Sequence, residues 1–471
     1  MLLLPRPADY HLNCQKLYQF LVASQKNCYK NCSQIVSISL EIEQIDPLAV
    51  FEKLAQPHQL NFYFENKGKG EAIAAIDAVA QLQLAGVNRF DLTQNFIHSC
   101  LKEIDIFDVS NHTFAKPHFF CSFSFFSNVT ADYPFPVATV FLPRWQIARQ
   151  GDRCVLVANL PIDVDTNIDI FIQQLWRKTH EITSIEEREN EKNYLNFQQK
   201  LSQVDVSNIA NFKQAVIDCS QLIYHKQLNK VVLAHAIDVK ANISFNLFHC
   251  LNRLRQLHPD CYVFSASNGR GQNFIGASPE RLISIRDRQL FTDALAGSIS
   301  RGKTTAEDAA LANQLLQSEK ERHEHKVVID FITQSLQELY IVPRLLSPRL
   351  RRLANIQHLW TPIQAKVPLD VHPLEIVAAL HPTPAVGGVS RQLACEKIRA
   401  YEKFERGLYA APLGWVNHQG DSKFIVGIRS ALIDGDRARL YAGAGIVEGS
   451  NPDREIAEVR LKLQALLKAL V

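Results

Sequence analysis

The sequence predicts an α+β fold built on antiparallel sheets, and three observations predict it. Strand-like segments come in groups joined by short turns, helical segments fall between the groups instead of alternating strictly with strands, and no period of roughly 20 to 50 residues repeats. A short turn forces its flanking strands antiparallel, because a parallel crossover needs about a dozen residues. The clearest case is a meander over residues 413–447. Its turns at Gln419-Gly420-Asp421 and Asp434-Gly435-Asp436 bracket a strand at 423–433 and are followed by another at 439–447.

From the N-terminus, residues 34–42, 61–65 and 118–126 are rich in β-branched and aromatic residues and read as strands, whereas the alanine-rich stretch 72–84 reads as a helix. Residues 184–199 are polar and charge-rich (Glu186, Glu187, Arg188, Glu189, Glu191, Lys192), which suits an exposed connector. The main boundary is therefore expected near residue 200, dividing an N-terminal region (1–200) from a region (201–471) that carries most of the chemistry. Past it, 230–239 alternates like a strand, as do 274–277, 281–285 and 289–294, the last two turning about Asp287.

Two helices carry carboxylates toward their apolar faces. Ser318-Glu319-Lys320-Glu321 has the capping-box pattern, with Ser318 set to accept from the Glu321 amide and the Glu321 carboxylate set to reach back. Beyond it Glu321, Glu324, Val328, Ile332 and Leu336 fall on one stripe. The last helix opens at Asn451-Pro452, an N-cap followed by proline at the first helical position, and places Glu455, Glu458 and Lys462 beside Val459, Leu463 and Leu466. Two Glu-x-x-Glu pairs suit a hard cation such as Mg²⁺, although solvated helix faces read the same way.

The balance of 51 basic against 48 acidic residues, net +3, gives no reason to expect nucleic acid or a membrane as partner, so a small molecule is expected. Arg344, Arg349, Arg351 and Arg352 read as a solvated loop. No signal-like segment opens the chain and no apolar run reaches ~18 residues, which together predict a cytoplasmic protein, expected to be monomeric. The ten cysteines include no CxxC; the nearest pair, Cys28 and Cys32, lacks a second pair for zinc, and all read as reduced thiols.

Some motifs exclude chemistry. His323-Glu324-His325 is not a HExxH zinc site, because position 327 is valine. Gly443-x-Gly445-x-x-x-Gly449 lies between a strand and a helix, but its spacing is wrong for a dinucleotide loop and the chain ends before the acidic partner; a glycine bend near an anion remains. Arg429 sits in an apolar strand and needs an anion, either a structural carboxylate or a ligand's. Lys230, at the head of Val231-Val232-Leu233, is either a strand-end lysine reaching for water or a desolvated amine fit to act as a base. Glu280 alone is an ordinary turn acid.

Together these pieces resemble the chorismate-utilising enzymes, the family of isochorismate, salicylate, anthranilate and aminodeoxychorismate synthases. The resemblance spans about residues 206–467 and follows the order of Lys-Val-Val-Leu at 230, Gly-Ala-Ser-Pro-Glu at 276, Leu-Ala-Gly-Ser at 295, Ser-Glu-Lys-Glu-Arg-His-Glu-His at 318, His358, His381-Pro382-Thr383-Pro384, Gly443-Ala444-Gly445-Ile446-Val447 and Glu455-x-x-Glu458. It implies two large antiparallel β-sheets packed as a sandwich with helices outside, the N-terminal half completing the sheets. It also implies Mg²⁺ held by Glu324 and Glu458 with Glu321 and Glu455 in support. Substrate carboxylates would go to Arg429, Lys462 and the backbone at Gly297, Ser298 and Gly443, and His358 would orient the ring.

Within the family, Lys230 matches the water-activating base of isochorismate and salicylate synthases. Ala296 stands where aminodeoxychorismate synthases carry a nucleophilic lysine, and Ala385 stands where aminating and salicylate-forming members have threonine. The resemblance therefore implies an isochorismate synthase: Lys230 activates water for attack at C2 of chorismate, and Glu280 protonates the departing C4 hydroxyl. Such roles require a lowered lysine and a raised glutamate. Ile45-Asp46-Pro47-Leu48, the run Phe62-Tyr63-Phe64-Glu65-Asn66 and Gly70-Glu71 resemble members that feed menaquinone or phylloquinone synthesis. Salicylate synthase, or a non-catalytic chorismate-binding protein, is the alternative.

Overall fold

The computed structural model describes residues 7–28, 33–108, 110, 112–185, 201–353 and 356–470; the expected connector, 184–199, lies outside them beyond residue 185. Two sheets share two long strands, Glu71–Leu84 and Ala138–Gln150, which pair along their whole length. One sheet runs from Glu71–Leu84 through Asn61–Asn66, Tyr262–Ser267, Asn273–Ser278, Ser430–Asp434 and Arg437–Ile446 to Lys230–Lys240. The other leaves the start of Ala138–Gln150 through His118–Phe123, Pro412–Asn417, Ser422–Val426, Arg281–Arg286 and Gln289–Ser300 to Ile356–Lys366. All of these pairings are antiparallel, as the short turns require; among the described residues the parallel pair is Gln34–Ile42 with Ile104–Asp108.

Strands of both halves of the chain interleave, Asn61–Asn66 beside Tyr262–Ser267 and His118–Phe123 beside Pro412–Asn417. The inner faces merge into one core, in which Phe62 of the first sheet and Phe120 of the second lie 5.3 Å apart. This is the α+β sandwich the sequence implied.

Two short links carry the chain directly from one sheet to the other, and both matter for the site. One is Pro279-Glu280, between Asn273–Ser278 and Arg281–Arg286; the other is Gly427-Ile428-Arg429, between Ser422–Val426 and Ser430–Asp434. The links bond each other: the Val426 amide donates to the Glu280 carbonyl and the Ala277 amide to the Arg429 carbonyl, both at 3.1 Å. Gly276 permits this approach, since a Cβ there would stand 2.6 Å from the Arg429 carbonyl oxygen.

Three expectations need correcting. Residues 72–84 are strand, not helix: alanine is compatible with either, and pairing with strands on both sides overrides its propensity. The expected strand 423–433 is broken at 427–429, where the chain changes sheets and Arg429 takes φ of 51°. The arginine cluster is solvated as expected, with Arg344, Arg349 and Arg352 exposed, but it is strand and not loop. Arg344–Leu345 and Arg349–Arg352 are short edge strands, and the Arg349 guanidinium lies 4.3 Å from the Trp360 ring centroid.

Among the described residues no helix is long and apolar enough to cross a membrane, and the cysteines are free.

Candidate active site

A pocket continuous with solvent opens where residues of the two sheets meet. Its lining includes Glu280, Gly297, Ser298, Glu324, His358, Ala385, Arg429, Gly443, Glu458 and Lys462. Ten of the thirteen residues named above as site candidates thus converge there, and Lys230, Glu321 and Glu455 stand just behind them.

The helix Glu319–Glu338 supplies Glu321 and Glu324 because Val328, Ile332 and Leu336 pin the same stripe into the core. Ser318 caps it as expected, accepting from the Glu321 amide at 3.3 Å. The Glu321 carboxylate does not reach back as a capping box would; it accepts from the Ser298 amide at 3.0 Å. The bulge at Gly297 makes room for this, with φ of 74° and no Cβ to crowd Glu321. The helix Pro452–Leu470 is capped by Asn451, whose side chain accepts from the amides of Asp453 and Arg454. It presents Glu455, which is buried, and Glu458, which pairs with Lys462 at 2.8 Å.

These acids feel one another. Burial raises the carboxyls of Glu321 and Glu455, and repulsion adds to it, from Glu324 and Glu458 in the first case and from Glu458 and Glu324 in the second. Among the described residues no three acidic, histidine or cysteine side chains converge into a preformed metal cage. Two carboxylates are instead held by lysines, Glu458 by Lys462 and Glu324 by Lys230.

Lys230 is 3% exposed and donates to Glu324 at 2.6 Å, so its side chain does not reach for solvent. Burial acts to raise the Glu324 carboxyl, but the Lys230 ammonium outweighs it and the net shift is downward. Gly445 carries no side chain at the point where a Cβ would come within 3.3 Å of Lys230 Cε and 3.4 Å of Glu324 Oε1. The Gly443-x-Gly445 pattern is therefore not a bend: it lies inside the strand Arg437–Ile446, where small residues let the pair approach.

Glu280 is buried in the first link, and desolvation pushes its carboxyl up to about 7 against the opposing pull of Lys230. Arg429 lies in the second link; among the described residues no carboxylate lies within ion-pair distance of it, and burial lowers its pKa. His358 is neutral, held well below its usual range by burial and then by Arg429 and Lys462. Its Nε2 is buried without a hydrogen-bond partner among the described residues. The pocket thus holds a protonatable acid, an amine at its edge, a desolvated cation and an imidazole nitrogen awaiting a ligand.

Residues 20–471 match the family model described as chorismate binding enzyme. The chain belongs to the chorismate-binding enzyme family. It is 29% identical over 451 residues to the isochorismate synthase MenF of Bacillus subtilis, covering 93% of this chain and 94% of that protein. It is 42% identical over 258 residues to the salicylate biosynthesis isochorismate synthase of Pseudomonas aeruginosa, 54% of this chain but 53% of that relative, about half its length. The solved structure of the menaquinone-specific isochorismate synthase MenF of Escherichia coli superposes with a TM-score of 0.78 at 24% identity, over 98% of this chain and 100% of that one, and shows the same fold.

Sequence reading missed several residues of this family site. Tyr409 and Tyr441 stack at 5.2 Å in the pocket wall, beside Val232, Val386 and Ile428. Tyr441 was recoverable, since it shares a strand face with Gly443 and Gly445. Tyr409 follows no such pattern; only the fold brings it there.

Proposed function

We propose that this family member is an isochorismate synthase, converting chorismate to isochorismate with Mg²⁺. One observation carries the reading: a buried carboxyl raised to about 7 and a buried amine flank a pocket whose guanidinium has no carboxylate partner among the described residues. A substrate with two carboxylates supplies the missing anion.

In this reading Arg429 takes one carboxylate as a fork, and the neutral His358 accepts from a substrate hydroxyl at Nε2. Lys230 accepts a proton from water as the water oxygen bonds to C2. Both ring double bonds shift, C1=C2 to C1=C6 and C5=C6 to C4=C5, and the C4–oxygen bond breaks with Glu280 delivering its proton to the leaving hydroxyl. One water enters and one leaves, so atoms balance, and the exchange of one hydroxyl for another makes the reaction reversible. Lys230 is basic only when neutral, so the Lys230–Glu324 pair has to surrender a proton or open before water is activated.

The residues present fit a hard divalent cation. Mg²⁺ takes one or two carboxylates and fills its octahedron with water and substrate oxygens, so the pocket-facing Glu324 and Glu458 suffice, with Glu321 and Glu455 behind them. When bound, Mg²⁺ supplies charge neutralisation for the ring carboxylate. We extend the reading to a role in supplying menaquinone or phylloquinone synthesis on the resemblance of Ile45-Asp46-Pro47-Leu48 and Phe62-Tyr63-Phe64-Glu65-Asn66 to members with that role; the Bacillus subtilis isochorismate synthase matches through both halves of the chain.

The test is incubation with chorismate and Mg²⁺, with isochorismate followed by a coupled lyase and salicylate by its fluorescence. Isochorismate without salicylate is expected; salicylate formed with no added lyase would overturn the assignment in favour of a salicylate synthase.

A further inference from the structure

The strand Lys230–Lys240 has a neighbour, Arg437–Ile446, along one edge only. Its other edge is covered in three pieces. At the start, Gly388–Val389 pairs with Val231 and Lys230, and the Val232 amide donates to Gly387 O at 2.8 Å. At the end, Ser202–Asp205 pairs with residues 237–240, and the Val206 amide donates to Ala236 O.

Between these short strands the Val232 carbonyl and the Ala234 amide point the same way with no backbone partner. A side-chain ion pair fills the gap. Arg406 Nη2 donates to Val232 O at 2.8 Å, and Glu402 Oε1 accepts from the Ala234 amide at 2.7 Å. The pair is itself forked, with Nε on Glu402 Oε2 at 2.8 Å and Nη2 on Oε1 at 2.5 Å. The remaining arm, Nη1, donates to Val386 O at 3.0 Å, and the guanidinium lies 4.4 Å from the Phe125 ring centroid. Arg406 is 1% exposed and Glu402 4%. Burying two charges is costly when well-packed apolar residues would serve, so the pair calls for a use beyond stability.

Its contacts name one. Val232 and Val386 both line the pocket, Val232 lies two residues from Lys230 on the same strand face, and Val386 adjoins Ala385. We propose that Arg406, with Glu402, is a positioning residue: by bonding the Val232 and Val386 carbonyls together it fixes the distance between the strand carrying the base and the loop lining the substrate. This rests on the reading of Lys230 as that base. A planar fork spans two carbonyls and a carboxylate at once, which a single amine does not.

The test is Arg406→Lys, which keeps the charge facing Glu402 and loses the bridge. Melting temperature, kcat and KM would be measured. Positioning predicts kcat lower by about tenfold or more with KM within about threefold of wild type, a split that a merely structural role would not produce. Wild-type kcat in a folded variant, with only the melting temperature lowered, would overturn the proposal. Should that variant not fold, Glu402→Met/Arg406→Met removes both charges and keeps apolar bulk; the same kcat loss is expected, and wild-type kcat refutes the bridge. Failure of the Lys230 reading shows separately, as unchanged turnover in Lys230→Ala.

Discussion

Lys230 and Glu324 lie 94 residues apart in the chain, one heading a strand and the other on the first turns of a helix, yet Nζ and Oε1 meet at 2.6 Å in a buried ion pair. The pair joins the proposed base to a proposed metal ligand.

Lys230→Ala and Glu280→Gln are each expected to lower kcat by about 10² or more, the usual contribution of a positioned acid or base. Chorismate binding, followed by calorimetry, should persist in Glu280→Gln because Arg429 is untouched. Unchanged turnover in either variant would remove that residue from the mechanism.

The Glu280 carboxyl, pushed up to about 7 chiefly by burial, fixes the sign of two pH effects. As the acid it must be protonated, so kcat/KM should fall as pH rises through about 7. It also binds its proton more tightly folded than unfolded, so its contribution to stability is present below the unfolded value and lost as pH rises through the folded one. Glu280→Gln should therefore be more stable than wild type at pH 8, by roughly 3 kcal/mol or less, and similar near pH 4. Melting curves at the two pH values check this; equal melting temperatures at pH 8 would contradict it.

Arg429→Gln should raise KM by about tenfold or more, since a charge-assisted fork to a carboxylate is lost. Its melting temperature should stay level or rise, because a desolvated cation with no ion-pair partner among the described residues is removed. A large fall would mean that the guanidinium has a structural anion after all.

Gly297→Ala places a Cβ at φ of 74° and 3.1 Å from Glu321 Oε2, against the hydrogen bond from the Ser298 amide. A stability loss of about 1–2 kcal/mol is expected from denaturant titration. Weaker Mg²⁺ binding in calorimetry should accompany it if Glu321 supports the cation.

Much of the site was legible because helical spacing is a local rule. Glu321 and Glu324 were tied to Val328, and Glu455 and Glu458 to Val459, before any fold was known. Arg429 was legible as a charge in an apolar run, and the meander from its turns. The resemblance supplied roles that residue types alone left open, as with Lys230 and Glu280.

What escaped depends on non-local pairing. Residues 72–84 are strand because neighbours on both edges impose it, not because alanine asks for it. The links at 279–280 and 427–429 resemble ordinary turns until both sheets are seen. Glu402 and Arg406 stand four residues apart just past the end of the helix Arg391–Tyr401, and their use lies in carbonyls at Val232 and Val386 that no sequence pattern marks.

The central claim is that this pocket replaces the C4 hydroxyl of chorismate with one from solvent at C2. Turnover in ¹⁸O-labelled water, with the product analysed by mass spectrometry in the initial phase, tests it most directly. Isochorismate bearing one heavy oxygen, located at C2, is the predicted result; unlabelled isochorismate, or no isochorismate at all from folded protein supplied with Mg²⁺, would contradict it.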